Sequence, residues 1–129
     1  MNVVDSSGWL EYFGNGDNAS FFAQPLADAP NLIVPSISIF EVFKRVLVQR
    51  GETAALQATA LMQQGRVVEL EPALATSAAQ LSVQLKLPMA DSIILATARQ
   101  FNATLWTQDA DFEGQPGVRF VAKVGKKSS

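Results

Sequence analysis

Short apolar runs alternate along this chain with longer stretches that have helical periodicity. Each short run predicts a strand, and the runs cover residues 2–4, 32–34, 66–70, 104–107 and 118–121. The stretches between them predict helices, because their apolar residues recur at helical spacing and glycine or proline stands at several boundaries. Strands that alternate with helices predict an α/β fold with a parallel sheet and right-handed crossovers.

The predicted helix at residues 36–50 is apolar on most of its sides. Ile37, Phe40, Val42, Phe43 and Leu47 are distributed around it rather than along one stripe. A helix of this kind is usually enclosed by other elements, so we expect it to be buried.

Two acids stand where predicted strands end. Asp5 closes the first strand, and Asp109 lies just past the strand at 104–107. In a parallel sheet, ligands bind beyond the carboxyl ends of the strands, so these carboxylates are predicted at the same edge. Each acid also has a simpler interpretation as an N-cap, Asp5 for the helix that begins at Ser6 and Asp109 for the turn that follows it.

Two further acids lie within predicted helices. Asp91 follows Pro88, and apolar residues at i+3, i+4 and i+7 place it on the apolar face; alternatively, it is a first-turn carboxylate stabilised by the helix dipole. Glu41 lies in the apolar helix at 36–50. Its alternative role is a surface ion pair with Lys44 or Arg45.

Composition narrows the chemistry that this chain can perform. Its 129 residues suit one domain, predicted over 1–124 with a flexible tail at 125–129, and 48% hydrophobic residues supply a core. The chain has no cysteine and no histidine, which excludes disulfides, thiolate and imidazole zinc sites and histidine-dependent hydrolysis. Carboxylates, hydroxyls and a bound ion remain.

Charge and targeting signals add two expectations. A net charge of −2 and a pI of about 5.0 argue against broad, charge-driven nucleic-acid binding. The start of the chain does not resemble a signal peptide, and no apolar run is long enough for a transmembrane helix, so we expect a soluble cytoplasmic protein.

Four acids in one place would repel each other, and a hard cation such as Mg²⁺ or Mn²⁺ would remove that conflict.

Four sequence motifs resemble those of the PIN domain family, with the nearest likeness to VapC toxins. They stand in the family's order over residues 3–112: VVDSS with WLEYF at 3–13, SIFEV at 38–42, MADSIILATA at 89–98 and TQDADF at 107–112. The resemblance implies a three-layer α/β/α sandwich with a five-stranded parallel sheet. It also implies Mg²⁺- or Mn²⁺-dependent RNA cleavage, inhibition by a VapB-like antitoxin, and a homodimer.

The resemblance also implies roles for individual residues. The metal-binding, catalytic acids are Asp5, Glu41, Asp91 and Asp109. The auxiliary residues are Asp111, Ser6 and Thr107, of which Ser6 and Thr107 have helix capping as their simpler interpretation. Candidate RNA contacts are Lys44, Arg45 and Arg50, and the alternative for them is a solvated helix end.

Other function classes stay open from the sequence. The fold could belong to a PIN nuclease of RNA processing, or to an inactive module that binds RNA or protein. A phosphotransferase that uses Asp5 as a nucleophile is a further alternative, but Ser7 stands where those enzymes carry a second aspartate. Trapping of a phospho-aspartate would revive that interpretation.

Overall fold

A single five-stranded sheet forms the centre of the computed structural model, which describes residues 1–124. The strands are β1 (Asn2–Val4), β2 (Leu32–Pro35), β3 (Arg66–Val68), β4 (Thr104–Thr107) and β5 (Val118–Phe120). Their order is β3-β2-β1-β4-β5, and every neighbouring pair is parallel. The five-stranded parallel sheet predicted from the sequence is therefore confirmed.

Within residues 1–124, six α-helices lie between the strands. They are α1 (Ser6–Phe13), α2 (Ala19–Leu26), α3 (Ser36–Arg50), α4 (Glu52–Met62), α5 (Pro72–Leu85) and α6 (Met89–Gln100). Pro72 opens α5, where its missing N–H costs no helical hydrogen bond. Gly51 separates α3 from α4 with a φ of 92°, a backbone conformation that favours glycine.

The helices cover both faces of the sheet. Side chains alternate along a strand, so Val3 and Leu105 point to one face while Val4 and Trp106 point to the other. The face with Val4 is covered by buried residues of α1 to α4, and the face with Val3 is covered by α6 with α5 beside it. The result is the expected three-layer α/β/α sandwich.

Helix α3 is less buried than its sequence predicts. Only Ser38, Val42 and Val46 are enclosed, and they form one stripe at fourth-residue spacing. The prediction of a buried helix was wrong for the opposite side, where Phe40 is 60% exposed and Val48 is 79% exposed. The physical reason is that α3 contacts α4, α1 and α6 along part of its surface, and the remaining apolar side chains face solvent.

The sheet order places a crevice beside β1. From β1 the chain next adds β2 on one side, and β4 later pairs on the other side, so the order reverses at this strand. Ligands in open parallel sheets bind at such a reversal, outside the carboxyl ends of the strands. The first residue beyond the carboxyl end of β1 is Asp5.

Two sequence predictions concern the ends of the chain and its surroundings. The predicted flexible tail at 125–129 lies outside the described residues, so the boundary at 124 stays a prediction. Within residues 1–124, no helix combines the length and the apolar character that crossing a membrane requires.

Candidate functional site

Asp5 lies at the carboxyl end of the central strand and is almost fully enclosed, with 2% of its surface exposed. Its carboxylate caps α1 by accepting a hydrogen bond from the Gly8 backbone N–H at 2.8 Å. It also accepts hydrogen bonds from Ser7 Oγ at 2.9 Å and from Thr107 Oγ1 at 2.6 Å. Burial raises its pKa to about 6, against the effect of these hydrogen bonds, and the charge of Asp109 adds to the rise.

Gly8 allows this arrangement because it lies against the core. A Cβ at this position would come within 2.6 Å of the Phe22 ring and within 2.7 Å of a Val4 methyl group. A side chain there would push the first turn of α1 away from the sheet. The turn that holds Asp5 therefore depends on glycine at position 8 for close packing, not for its backbone dihedral angles.

Asp109 stands beside Asp5 because β4 pairs with β1. The register aligns Val4 with Trp106, so the residues after each strand are neighbours. Asp109 begins a 3₁₀ turn (Ala110–Phe112) and accepts a hydrogen bond from the Asp111 backbone N–H at 2.9 Å. Its own N–H donates to Thr107 Oγ1 at 2.9 Å. The Thr107 hydroxyl thus joins the two acid-bearing segments.

Asp91 reaches the same edge from the first turn of α6. Oxygen atoms of Asp91, Asp109 and Asp111 all lie within 4.8 Å of one another. The pKa of Asp91 is raised to about 7, first by desolvation and then by the charges of Asp109 and Asp5, with a hydrogen bond to Asp109 and the charge of Asp111 contributing further. Burial and the neighbouring acids therefore disfavour the charged form of Asp91.

Glu41 belongs to α3, which follows β2. Ser6 Oγ donates a hydrogen bond of 2.6 Å to Glu41 Oε1, which joins the start of α1 to α3. Glu41 is not one of the three clustered acids. It does line a cavity of about 420 Å³ together with Asp5, Asp91 and Asp109, and we call this cavity the acid cavity.

The predicted basic residues are divided between two places. Lys44 and Arg45 are exposed and border the acid cavity. Arg50 is also exposed, but it lines a neighbouring groove that it shares with Arg45. The Lys44 ammonium lies 5.8 Å from the centroid of the Phe40 ring.

Asp111 and Ser7 have larger roles in the site than the sequence predicts. Asp111 was predicted as auxiliary, and the structure places it in the cluster with Asp91 and Asp109. Ser7 was not among the predicted site residues, yet its hydroxyl contacts both oxygens of Asp5. The D-x-D spacing signals the first of these, because an aspartate that caps a turn accepts a hydrogen bond from the backbone N–H two residues on, here that of Asp111. No sequence signal identifies the second.

The donor set fits a hard divalent cation. The ligand atoms on offer are carboxylate oxygens, which Mg²⁺ and Mn²⁺ prefer. The hydrogen bonds that Asp5, Glu41 and Asp109 accept come from hydroxyl and backbone N–H groups, which leave the negative charge of the cluster in place. Burial, and next to it the charges of neighbouring acids, raises the pKa of Asp5 and of Asp91, and a bound cation would favour the charged forms of both.

Comparisons with known proteins agree on one fold. The family model for the PIN domain matches residues 3–117. A toxin-antitoxin complex from Klebsiella pneumoniae superposes with a TM-score of 0.78 at 25% identity, over 96% of this chain and 100% of that chain. No curated protein sequence matches this chain.

Two further solved structures share the fold at lower identity. VapC20 from Mycobacterium tuberculosis, described as a toxin that cleaves the sarcin-ricin loop, has a TM-score of 0.76 at 19% identity, over 90% of this chain and 95% of that chain. VapBC2 from Rickettsia felis, bound to a DNA fragment from its promoter, has a TM-score of 0.71 at 15% identity, over 94% of this chain and 97% of that chain.

Proposed function

Because the chain belongs to the PIN domain family, we propose that it is a metal-dependent endoribonuclease of the VapC toxin type. The observation that carries the proposal is the convergence of Asp91, Asp109 and Asp111 within 4.8 Å, beside the buried Asp5. The substrate is an RNA phosphodiester, and the reaction is hydrolysis. The sarcin-ricin loop cleavage named for the VapC20 structure is consistent with this chemistry.

The proposed metal ligands are Asp5, Asp91 and Asp109, with Asp111 beside them and Glu41 across the acid cavity. A Mg²⁺ or Mn²⁺ ion held there would activate water, orient the phosphate and neutralise its charge.

The chain's own groups prepare this site. Thr107 and Ser7 fix the rotation of the Asp5 carboxylate through hydrogen bonds of 2.6 and 2.9 Å. Ser6 holds Glu41 Oε1 at 2.6 Å, and the other oxygen of this carboxylate would accept a proton from water. Lys44 and Arg45, at the mouth of the cavity, contribute positive charge toward the incoming phosphate.

Cleavage of a labelled single-stranded RNA tests the proposal. With Mn²⁺ or Mg²⁺ we expect products that carry a 5′-phosphate, and EDTA should abolish them. Asp91→Asn and Asp5→Asn should each lower the rate by more than about 100-fold, since loss of a ligand removes both the cation and its orientation. Asp17→Asn, an exposed acid outside the cavity, is the matched control.

The same assay separates the enzyme from an inactive PIN module. A module that only binds RNA would show no cation-dependent products, and substitution of the acids would alter binding alone. Cleavage by Asp91→Asn at the parental rate would contradict the assignment of the acids. Formation of a phospho-aspartate at Asp5 would favour the phosphotransferase alternative.

The toxin assignment includes a protein partner. The similar structure from Klebsiella pneumoniae is a toxin-antitoxin complex, and that from Rickettsia felis is a VapBC complex, which supports a VapB-like antitoxin for this chain. We expect expression to arrest growth, co-expression of the neighbouring small reading frame to restore it, and Asp91→Asn to be harmless. Arrest that survives Asp91→Asn would count against RNA cleavage as its cause.

The proposal extends to assembly and location. A homodimer is expected by analogy with the toxin family, and light scattering after gel filtration measures it directly. Because its substrate would be cellular RNA, we expect the protein to act in the cytoplasm. A nuclease of RNA processing remains the alternative, and it predicts no growth arrest and no antitoxin in the neighbouring reading frame.

A further inference from the structure

A second depression lies directly beside the acid cavity. It has a volume of about 530 Å³ and is bounded by α1, α3 and α4. Ser7, Leu10 and Arg45 line both this depression and the acid cavity, so the two are adjacent. We call it the basic groove, because within residues 1–124 the charged residues that line it are Arg45, Arg50, Lys123 and a single acid, Glu11.

The charge of the basic groove is opposite to that of the whole chain. The protein carries a net charge of −2, yet three cations and one acid line this groove. Glu11 is engaged on its own side, where it accepts hydrogen bonds from the Asn18 backbone N–H at 2.9 Å and from Gln108 Nε2 at 3.4 Å. The groove therefore presents local positive charge next to a site of negative charge.

The rest of the lining suits a nucleotide chain. Phe13, Ala54 and Leu61 give apolar surface on which sugars and bases can pack. Gln49 and Gln57 are exposed on adjoining helices, and each amide both donates and accepts hydrogen bonds, as base edges require.

We propose that the basic groove binds the RNA strand beside the phosphodiester that is cleaved in the acid cavity. The inference rests on the proposed function for the identity of the substrate. Arg45 stands at the junction of the two depressions, and Arg50 and Lys123 contact phosphates further along the strand. In an acidic protein, this groove supplies the local positive charge that phosphates require.

Binding of a fluorescein-labelled single-stranded RNA, followed by anisotropy, tests the inference. The measurement is made with Ca²⁺ and again with EDTA, because the cations of the groove do not depend on a metal in the acid cavity. Arg50→Ala and Lys123→Ala should each weaken binding about fivefold and lower the slope of log K against log salt concentration by about 0.7, the value for one phosphate contact on a single strand.

Arg99→Ala is the matched control. Arg99 is also exposed, but it lines a surface depression between α5 and α6, on the other face of the sheet. It should leave both the affinity and the salt slope unchanged. Circular dichroism melts of all three variants confirm that they fold.

A second measurement locates the strand. RNA that carries 4-thiouridine should crosslink to peptides of α1, α3 or α4 when irradiated with the intact protein. Crosslinks confined to α5 and α6, unchanged affinity of Arg50→Ala and Lys123→Ala, or no RNA binding in either buffer would overturn the inference. If the groove instead binds a protein segment, the RNA affinity of Arg50→Ala and Lys123→Ala should be unchanged.

The two proposals fail in different ways. Binding that depends on Arg50 without any cation-dependent cleavage would contradict the nuclease function and leave the groove assignment in place. Cation-dependent cleavage with RNA binding that does not depend on Arg50 and Lys123 would contradict the groove assignment and leave the nuclease function in place.

Discussion

Replacing Asp5 by asparagine should make the metal-free protein more stable at neutral and alkaline pH. Asp5 is 2% exposed, and its pKa is raised from 3.8 to about 6, mainly by desolvation. The ionised form is therefore disfavoured in the folded state relative to the unfolded chain. Stability from this group is fully present below pH 3.8 and is lost as the pH rises through about 6.

The size of the effect follows from the shift. A shift of about 2 pH units corresponds to roughly 3 kcal/mol at about 1.4 kcal/mol per unit. Asparagine is neutral and keeps an oxygen to accept from the Gly8 N–H, but its amide N–H₂ cannot accept the hydrogen bond from Thr107, a loss of about 1 kcal/mol. The net gain at about pH 8 is then roughly 2 kcal/mol, or an increase in Tm of about 8 °C for a domain of this size.

Thermal melts in EDTA at about pH 8 and about pH 4 measure this effect. Near pH 4 the folded Asp5 is protonated, so the advantage of asparagine should disappear and the lost hydrogen bond should make the variant slightly less stable. Asp17→Asn, at an exposed position, should follow the parental protein at both values. A lower Tm for Asp5→Asn at pH 8, or the same difference from the parent at both pH values, would refute this reasoning.

Three further predictions concern the same site. Gly8→Ala should lower the free energy of unfolding by about 1–3 kcal/mol in urea titrations, because its Cβ would lie 2.6 Å from the Phe22 ring; full stability would show that the helix start moves freely. Thr107→Val removes a donor that lowers the pKa of Asp5, so the acid limb of the pH–rate profile should move to higher pH, and an unchanged limb would contradict it. Mn²⁺ at about 100 times its Kd should stabilise the parental protein by about 2.7 kcal/mol near pH 7.5, and it should not stabilise Asp91→Asn. The Tm of each protein with and without Mn²⁺ measures this, and equal stabilisation of both would place the ion elsewhere.

Much of the fold is readable from local pattern because the strands are short and apolar and the helices are bounded by glycine and proline. The sequence predicts all five strands, and the helix predicted to begin at Ser6 begins there in the structure. Helix α3 shows where local pattern is insufficient. Its apolar residues identify a helix, but only the position of α3 relative to its neighbours decides that Phe40 and Val48 face solvent.

The candidate site divides in the same way. Asp5 and Asp109 can be expected at one edge because parallel strands share the direction of their ends, and the structure places them there. The hydrogen bond from Thr107 to Asp5 joins residues far apart in sequence, so it depends on strand register, which the sequence does not supply. The inclusion of Asp111 depends likewise on the 3₁₀ turn after Asp109. The catalytic roles of these residues remain proposals.

The central claim is that these acids hold a divalent cation, and crystals grown with Mn²⁺ test it most directly. An anomalous difference map should show a peak in the acid cavity. Carboxylate oxygens of Asp5, Asp91 and Asp109 should lie about 2.0–2.3 Å from it, as is typical of small hard cations with oxygen ligands. The same crystals of Asp91→Asn should show no peak there. A parental map without a peak in the cavity, or with its only peak at another surface, would contradict the account.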